Sequence, residues 1–322
     1  MATLAHLDGL TDRTLRRLTR AGVIALVVLL AAFTALYVMG QRSGGGPTMV
    51  ERNVSAMEDA VKQAPQNVQV RLKLAEAYTK AGRTDDALAQ YDEVLRAVPK
   101  NSTAALGKAT LLYQKGDLDT AKALFTTMAA NAKTSEFARV DPEAQTAHYY
   151  LGSIAIKQGQ YDTAITELTR AKAMDGSDAD VLYLLGVAQS KKGDDANAVA
   201  NLSRAVAFVP TGWCDPWAAL QTSYGNLKQN EMAQYAGAMN AFCGKDSGAA
   251  VSQLEPLTSG PAALPALLGL GLITEQQGDK AAAGAWYLKA YAIAPTDTTV
   301  LSSLDRLGVK PPAAGSTTTK AS

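Results

Sequence analysis

The sequence predicts an all-α protein, a solenoid of stacked helix pairs. The first observation is a repetition at a fixed spacing: "HYYLGSIAIKQGQYDTAITELTRAKAMDG" at 148–176 is followed by the similar "LYLLGVAQSKKGDDANAVANLSRAVAFVP" at 182–210. The second is composition, since alanine is abundant and aromatic residues make up only 6% of the chain. Such a composition favours helix over sheet. Because repetition at a period of this length is typical of solenoids, each copy is expected to cover its neighbour.

The repeating unit is predicted to be a helix–turn–helix of 34 residues, with small residues kept in step between copies. Gly152 and Ala164 are expected on facing helices, where the absence of bulk allows close approach. Leu168 fills the seam between them. Gly159 should end the first helix in the left-handed conformation.

The predicted solenoid extends over residues 49–308 and contains about five helix–turn–helix units, with extra helices at both ends and one inside. Some copies are regular and others degenerate. They are placed near residues 68–101, 102–135, 145–178, 179–212, 214–244 and 264–297.

This pattern of small, aromatic and proline positions resembles the tetratricopeptide repeat (TPR) family. The resemblance implies that first helices line a concave groove through their second, fifth, ninth, twelfth and thirteenth positions. One family feature is missing: Leu72 and Glu76 stand where repeats that hold chaperone C-termini have lysine and asparagine. The resemblance therefore implies a binding surface, but not that carboxylate clamp.

The groove positions include tyrosines in successive repeats and lysines two turns further along the same helices. Tyrosine combines contact area with a polar tip, which suits a peptide partner. Packing between repeats and simple surface charge are the alternative roles for these residues. The predicted peptide-binding residues are Lys80, Tyr113, Tyr149, Ser153, Lys157, Tyr183, Ser190 and Lys191.

The N-terminal region predicts a membrane anchor. Residues 21–40 contain no charged side chain and are long enough, as a helix, to span a bilayer. A basic segment, 1–20, precedes them and predicts a cytoplasmic N-terminus. A cleaved signal peptide is the alternative, although no clear cleavage site follows. A flexible linker is expected at 41–48 and a disordered tail at 309–322.

The two cysteines, Cys214 and Cys243, would lie at the start and the end of one antiparallel helix pair in such a repeat. A disulfide between them follows if the domain lies outside the cytoplasm. Two free, packed cysteines are the alternative.

Signals for catalysis are missing. The sequence has two histidines and none of the common metal, nucleophile or phosphate-binding motifs. His148 falls on a packing position. Basic and acidic residues number 31 and 30, so no basic excess indicates nucleic-acid binding. The sequence predicts a protein that is not an enzyme and needs no cofactor or metal.

The most concrete functional prediction is a bacterial, single-pass membrane scaffold that binds a protein or peptide outside the cytoplasm, on the periplasmic or cell-surface side. One alternative resembles the anchored TPR proteins of cytochrome c maturation, which present apocytochrome. Another is a structural role in envelope assembly, with self-association.

Overall fold

A computed structural model of the chain describes residues 48–132, 141–208 and 212–312, together with helical positions 26, 29, 30 and 32–34. The predicted segment 1–20, most of the predicted membrane helix 21–40, the linker up to residue 47 and the tail from 313 lie outside the described residues. Among the residues described, no helix is both long enough and apolar enough to cross a bilayer.

The chain divides into two compact units, residues 1–99 and 100–322. The first unit contains helices α1 (Met49–Gln63), α2 (Val68–Lys80) and α3 (Thr84–Ala97), and α2 packs against both others. A capping box starts α1, because the Thr48 hydroxyl accepts from the Glu51 amide and the Glu51 carboxylate accepts from the Thr48 amide.

The second unit is also helical throughout its described residues. Its α-helices are α4 (Ser102–Lys115), α5 (Leu118–Ala132), α6 (Pro142–Lys157), α7 (Tyr161–Met174), α8 (Ala179–Lys191), α9 (Asp195–Phe208), α10 (Asp215–Asn226), α11 (Asn230–Cys243), α12 (Ser247–Leu254), α13 (Ala263–Gln276), α14 (Lys280–Ile293) and α15 (Thr298–Leu307). A 3₁₀ turn, Glu255–Leu257, follows α12.

Each helix of this unit packs against the next one in the chain, and first helices of neighbouring pairs also touch. The contacts join α4 to α6, α6 to α8, and α8 to α10. We call these four helices the first-helix row. Their adjacency brings corresponding positions of successive repeats side by side.

Glycine allows close approach within the pairs, as the sequence predicts. A Cβ atom at Gly152 would overlap the side chain of Leu168, which is fully buried. One repeat later, a Cβ atom at Gly186 would lie 2.6 Å from Cγ of Leu202. The turn glycine Gly159 has φ of +70°, the left-handed conformation expected at the helix end.

The described residues contain six helix pairs, which lie at the six stretches that the sequence analysis assigns to repeats, so its count of about five units is one too low. The degenerate stretch 214–244 folds as the pair α10 and α11. Its core includes the large side chains Trp217, Leu220 and Met239. Extra helices at the two ends, α1 and α15, and inside, α12, agree with the prediction.

The C-terminal helix α15 covers the last pair. Val300 and Leu304 pack into the core formed with Tyr287. The Arg306 guanidinium donates two hydrogen bonds of 2.8 Å to the Glu275 carboxylate, which also accepts from the Tyr287 hydroxyl at 2.9 Å. Hydrogen bonding to Arg306 lowers the pKa of Glu275. Both apolar packing and charge-assisted hydrogen bonds therefore hold α15 against the last helix pair.

Candidate functional site

Seven of the eight predicted groove residues lie in the second unit, on three helices of the first-helix row. Tyr113 is on α4, Tyr149, Ser153 and Lys157 follow at intervals of four on α6, and Tyr183, Ser190 and Lys191 are on α8. Residues four apart on a helix share a face. Lys80, the last residue of α2, is exposed in the first unit.

Tyr113, Ser153 and Lys157 form a direct contact between α4 and α6. The Tyr113 and Ser153 hydroxyls are 2.6 Å apart. The Lys157 ammonium lies over the Tyr113 ring, 4.0 Å from its centroid, in a cation–π contact. Ser153 is buried, Tyr113 half-buried and Lys157 exposed. These three residues, from two repeats, therefore form one patch with a polar, cationic edge.

An aromatic cluster supports this patch from within. Tyr150 stacks on Phe125 with ring centroids 4.7 Å apart, and makes edge-to-face contacts with Tyr113 at 5.0 Å and Tyr149 at 5.1 Å. Phe125 is fully buried, whereas Tyr149 is half-buried. Because Tyr150 is stacked on Phe125, its ring contacts limit the conformational freedom of Tyr113 and Tyr149.

Tyr183 occupies the corresponding position one repeat later and contacts a different aromatic residue. Its ring is 5.1 Å from that of Trp213, in an edge-to-face arrangement. Trp213 precedes Cys214, which forms a disulfide with Cys243. The predicted disulfide is confirmed, and it ties the start of α10 to the end of α11. Trp213 therefore lies one residue before the disulfide that fixes the start of α10.

Ser190 has a role other than the predicted one. Its hydroxyl donates to the carboxylate of Asp195 at 2.7 Å, and the Asn226 amide donates to the same oxygen at 3.2 Å. Asp195 is buried, so this network satisfies a charge within the core. Ser190 therefore joins helices, while its neighbour Lys191 is exposed.

Acidic residues act electrostatically on both Tyr149 and Tyr183. Burial and the charge of Asp180 raise the pKa of the Tyr149 hydroxyl, and burial and Asp215 raise the pKa of Tyr183. Burial and its neighbour Asp178 likewise raise the pKa of Asp180. All three effects disfavour further negative charge at this face.

The sequence analysis missed Tyr150, Trp213, Asp180 and Asp215. Both aspartates occupy second positions of their repeats, and the family rule already places second positions in the groove. Applying that rule to residues 180 and 215 would have identified them. Trp213 lies just before its helix, where no repeat position indicates a role.

His148 is buried inside the α6–α7 pair, where its Nδ1 atom is 2.6 Å from the Glu167 carboxylate. This placement suits the predicted packing position. Throughout residues 48–132, 141–208 and 212–312, no three histidine, cysteine, aspartate or glutamate side chains converge as metal ligands would.

Comparison with protein families gives a match to the tetratricopeptide repeat. The matched residues are 54–102, 72–136, 106–179, 154–212 and 246–298, which together cover more than half of the chain. The pair α10 and α11 falls largely in the gap between the last two matches.

Two relatives share part of this region. The cellulose synthase operon protein C of Escherichia coli K12 is 31% identical over 135 residues, which is 42% of this chain and 11% of that protein. A tetratricopeptide repeat and J domain-containing co-chaperone of Fusarium oxysporum is 26% identical over 151 residues, which is 47% of this chain and 29% of that protein. The chain thus spans only a minor part of either relative.

Two solved structures of TPR proteins are similar to this chain. YrrB, a TPR protein with an unusual peptide-binding site, gives a TM-score of 0.48 at 19% identity, covering 63% of this chain and 99% of that one. The C-terminal part of a TPR repeat-containing protein from Cytophaga hutchinsonii gives 0.49 at 15% identity, covering 78% and 93%. Likenesses at these scores carry no inference about a partner.

Proposed function

Because the chain belongs to the tetratricopeptide repeat family, we propose that it is a non-catalytic scaffold that binds a protein or peptide on the first-helix row. The observation that supports this most is the set of half-buried tyrosines, Tyr113, Tyr149 and Tyr183, on three helices that touch in succession. Each is held by aromatic neighbours, so little side-chain entropy is lost when a partner binds.

The polar groups around these rings suit an extended backbone. The half-buried Tyr113 supplies a hydroxyl, which the buried Ser153 holds in place, and the exposed Lys157 supplies a charged donor beside it. A peptide in an extended conformation has unpaired amides and carbonyls along its length, which such groups can satisfy. This face therefore offers both apolar area and hydrogen-bonding capacity.

Affinity capture from membranes tests this proposal. We expect one protein to be enriched with wild type and to be at least tenfold reduced with Tyr149→Ala/Tyr183→Ala, because two central contacts are removed. The matched control is Tyr291→Ala, which removes a half-buried tyrosine from α14, away from the row. Quantitative mass spectrometry reads the captures.

Equal enrichment by wild type and the double variant, with its melting temperature unchanged, would contradict a binding role for the row. If Tyr291→Ala reduces the captured protein as much as the double variant does, the reduction reflects folding and not binding by the row.

We further propose that residues 21–40 anchor the protein in a bacterial membrane and place the repeats outside the cytoplasm. The apolar run and the preceding arginines support this orientation. The Cys214–Cys243 disulfide also supports it, because disulfides persist in oxidising compartments.

Topology can be read from thiol chemistry in intact cells. We expect Cys214 and Cys243 to resist alkylation until a reductant is added, with both thiols blocked only afterwards. A Ser247→Cys variant, at the start of α12, is the control and should react at once with a membrane-impermeant reagent. If the Ser247→Cys protein reacts only after the cells are lysed, the proposed orientation is reversed.

A further inference from the structure

Tyr149 forms the first of two tyrosine–aspartate pairs that lie along the first-helix row. The Gln145 amide donates to the Asp178 carboxylate at 2.6 Å, which holds the first turns of α6 and α8 together. Tyr149 lies one turn beyond Gln145, and Asp180 lies two residues beyond Asp178. Across this junction, where α6 and α8 are in contact, the Asp180 carboxylate acts electrostatically on the Tyr149 hydroxyl.

The second pair repeats this arrangement one unit later. The Tyr183 ring contacts Trp213 at 5.1 Å, and Asp215, two residues further, begins α10. In both pairs a fifth-position tyrosine lies on one first helix and a second-position aspartate lies on the next, and the two interact electrostatically. The arrangement therefore recurs at two of the row's three junctions, while the α4–α6 junction has Leu106 and Thr146 at the corresponding positions.

The two pairs carry negative charge without a cationic partner. The charged groups that act on Tyr149, Tyr183 and Asp180 are all acidic. Neither Asp180 nor Asp215 takes part in an ion pair within the described parts of the chain, and both are exposed. Lys157, two turns from Tyr149 along α6, lies over Tyr113 instead.

We propose that the partner on this row is an extended basic peptide, whose arginine or lysine side chains enter the Tyr149–Asp180 and Tyr183–Asp215 pairs. This inference rests on the proposed binding role of the row. A cation over a tyrosine face gains a cation–π contact, and the adjacent carboxylate adds a charge-assisted hydrogen bond. Arginine suits both at once, because its planar guanidinium stacks and pairs with carboxylates.

The geometry of the row also sets the spacing of the basic residues. Packed helices have axes about 8–10 Å apart. A polyproline II peptide advances about 3.1 Å per residue and about 9.3 Å per turn of three. Side chains at positions i and i+3 of such a peptide therefore point in the same direction. The distance between them is close to that between the axes of two packed helices such as α6 and α8. The expected ligand has basic residues three apart.

Peptide titrations of the full-length protein test both charge and spacing. The probe is a proline-rich peptide of about ten residues with arginines at i and i+3. We expect it to bind about tenfold more tightly than the same peptide with glutamates, and several-fold more tightly than one with adjacent arginines. Isothermal calorimetry at physiological salt measures the dissociation constants.

The variant Asp180→Asn/Asp215→Asn keeps the shape of both side chains and removes both charges. We expect it to weaken binding of the i, i+3 arginine peptide about tenfold or more. Asp119→Asn is the matched control, because Asp119 is also an exposed aspartate in the first turn of its helix, α5. That variant should bind as wild type does.

Unchanged binding by the Asp180→Asn/Asp215→Asn protein, or equal binding of arginine and glutamate peptides, would overturn the inference. If no basic peptide binds while tyrosine-dependent capture persists, the charge and spacing assignment fails but the binding role of the row stands. Loss of tyrosine-dependent capture as well would remove both.

Discussion

Replacing Cys214 and Cys243 by serine is expected to lower the free energy of unfolding of the α10–α11 pair by about 3–4 kcal/mol. The disulfide joins residues 29 apart, and removing it releases a loop of that length in the unfolded chain. This stretch also keeps few residues of the repeat pattern. Hydrogen exchange of the α10 and α11 amides measures the change.

Reduction of the wild-type protein provides the control, because it breaks the same bond without changing the sequence. The reduced wild type and the serine variant should lose amide protection equally, and the variant should not respond to reductant. Undiminished protection in both would show that packing around Trp217 and Met239 is sufficient to hold the pair. The helices α6 and α7 should be unaffected in either case.

A second large effect is expected from Leu168→Ala, in the seam of the α6–α7 pair. Leu168 is fully buried and lies against Gly152, so truncation removes apolar contacts and leaves a cavity. We expect a loss of about 2–5 kcal/mol in the free energy of unfolding. Urea unfolding followed by circular dichroism measures it. Leu301→Ala, at a residue 38% exposed on α15, should cost less than about 1 kcal/mol.

Adding Gly152→Ala tests whether close approach is the reason for the glycine. In the wild-type background a Cβ atom at residue 152 overlaps Leu168, so the substitution should destabilise the pair. In the Leu168→Ala background the space is open, and alanine should be neutral or stabilising, since glycine is unfavourable within helices. Additive effects of the two substitutions would contradict the proposed contact.

Repetition made much of the fold predictable from sequence. Gly152 and Gly186 recur in step, and because close helix contact needs small residues, their spacing alone identified facing helices. The pair α10 and α11 was harder to recognise, because its stretch keeps few residues of the repeat pattern and its core includes Trp217 and Met239. Its pairing depends on tertiary packing and on the disulfide, which a period does not encode.

The repeat pattern predicted which helices carry the proposed binding residues, but not the role of each residue. Tyr149 and Tyr183 occupy corresponding places in successive copies, and the structure puts their helices in contact. Ser190 occupies a groove position as well, yet its hydroxyl binds the buried Asp195. Whether a polar side chain faces a partner or satisfies a core charge depends on the neighbouring helix. A single sequence does not show which neighbour that is.

The lone helix α12 limits the length of the proposed binding row. It interrupts the alternation of first and second helices, so that α13 packs on α11 and α12 instead of continuing the line after α10. Four helices with axes about 8–10 Å apart span about 24–30 Å between the outermost axes. At about 3.1 Å per residue, that is a footprint of about eight to ten residues. Lengthening a bound peptide beyond this footprint should add little affinity.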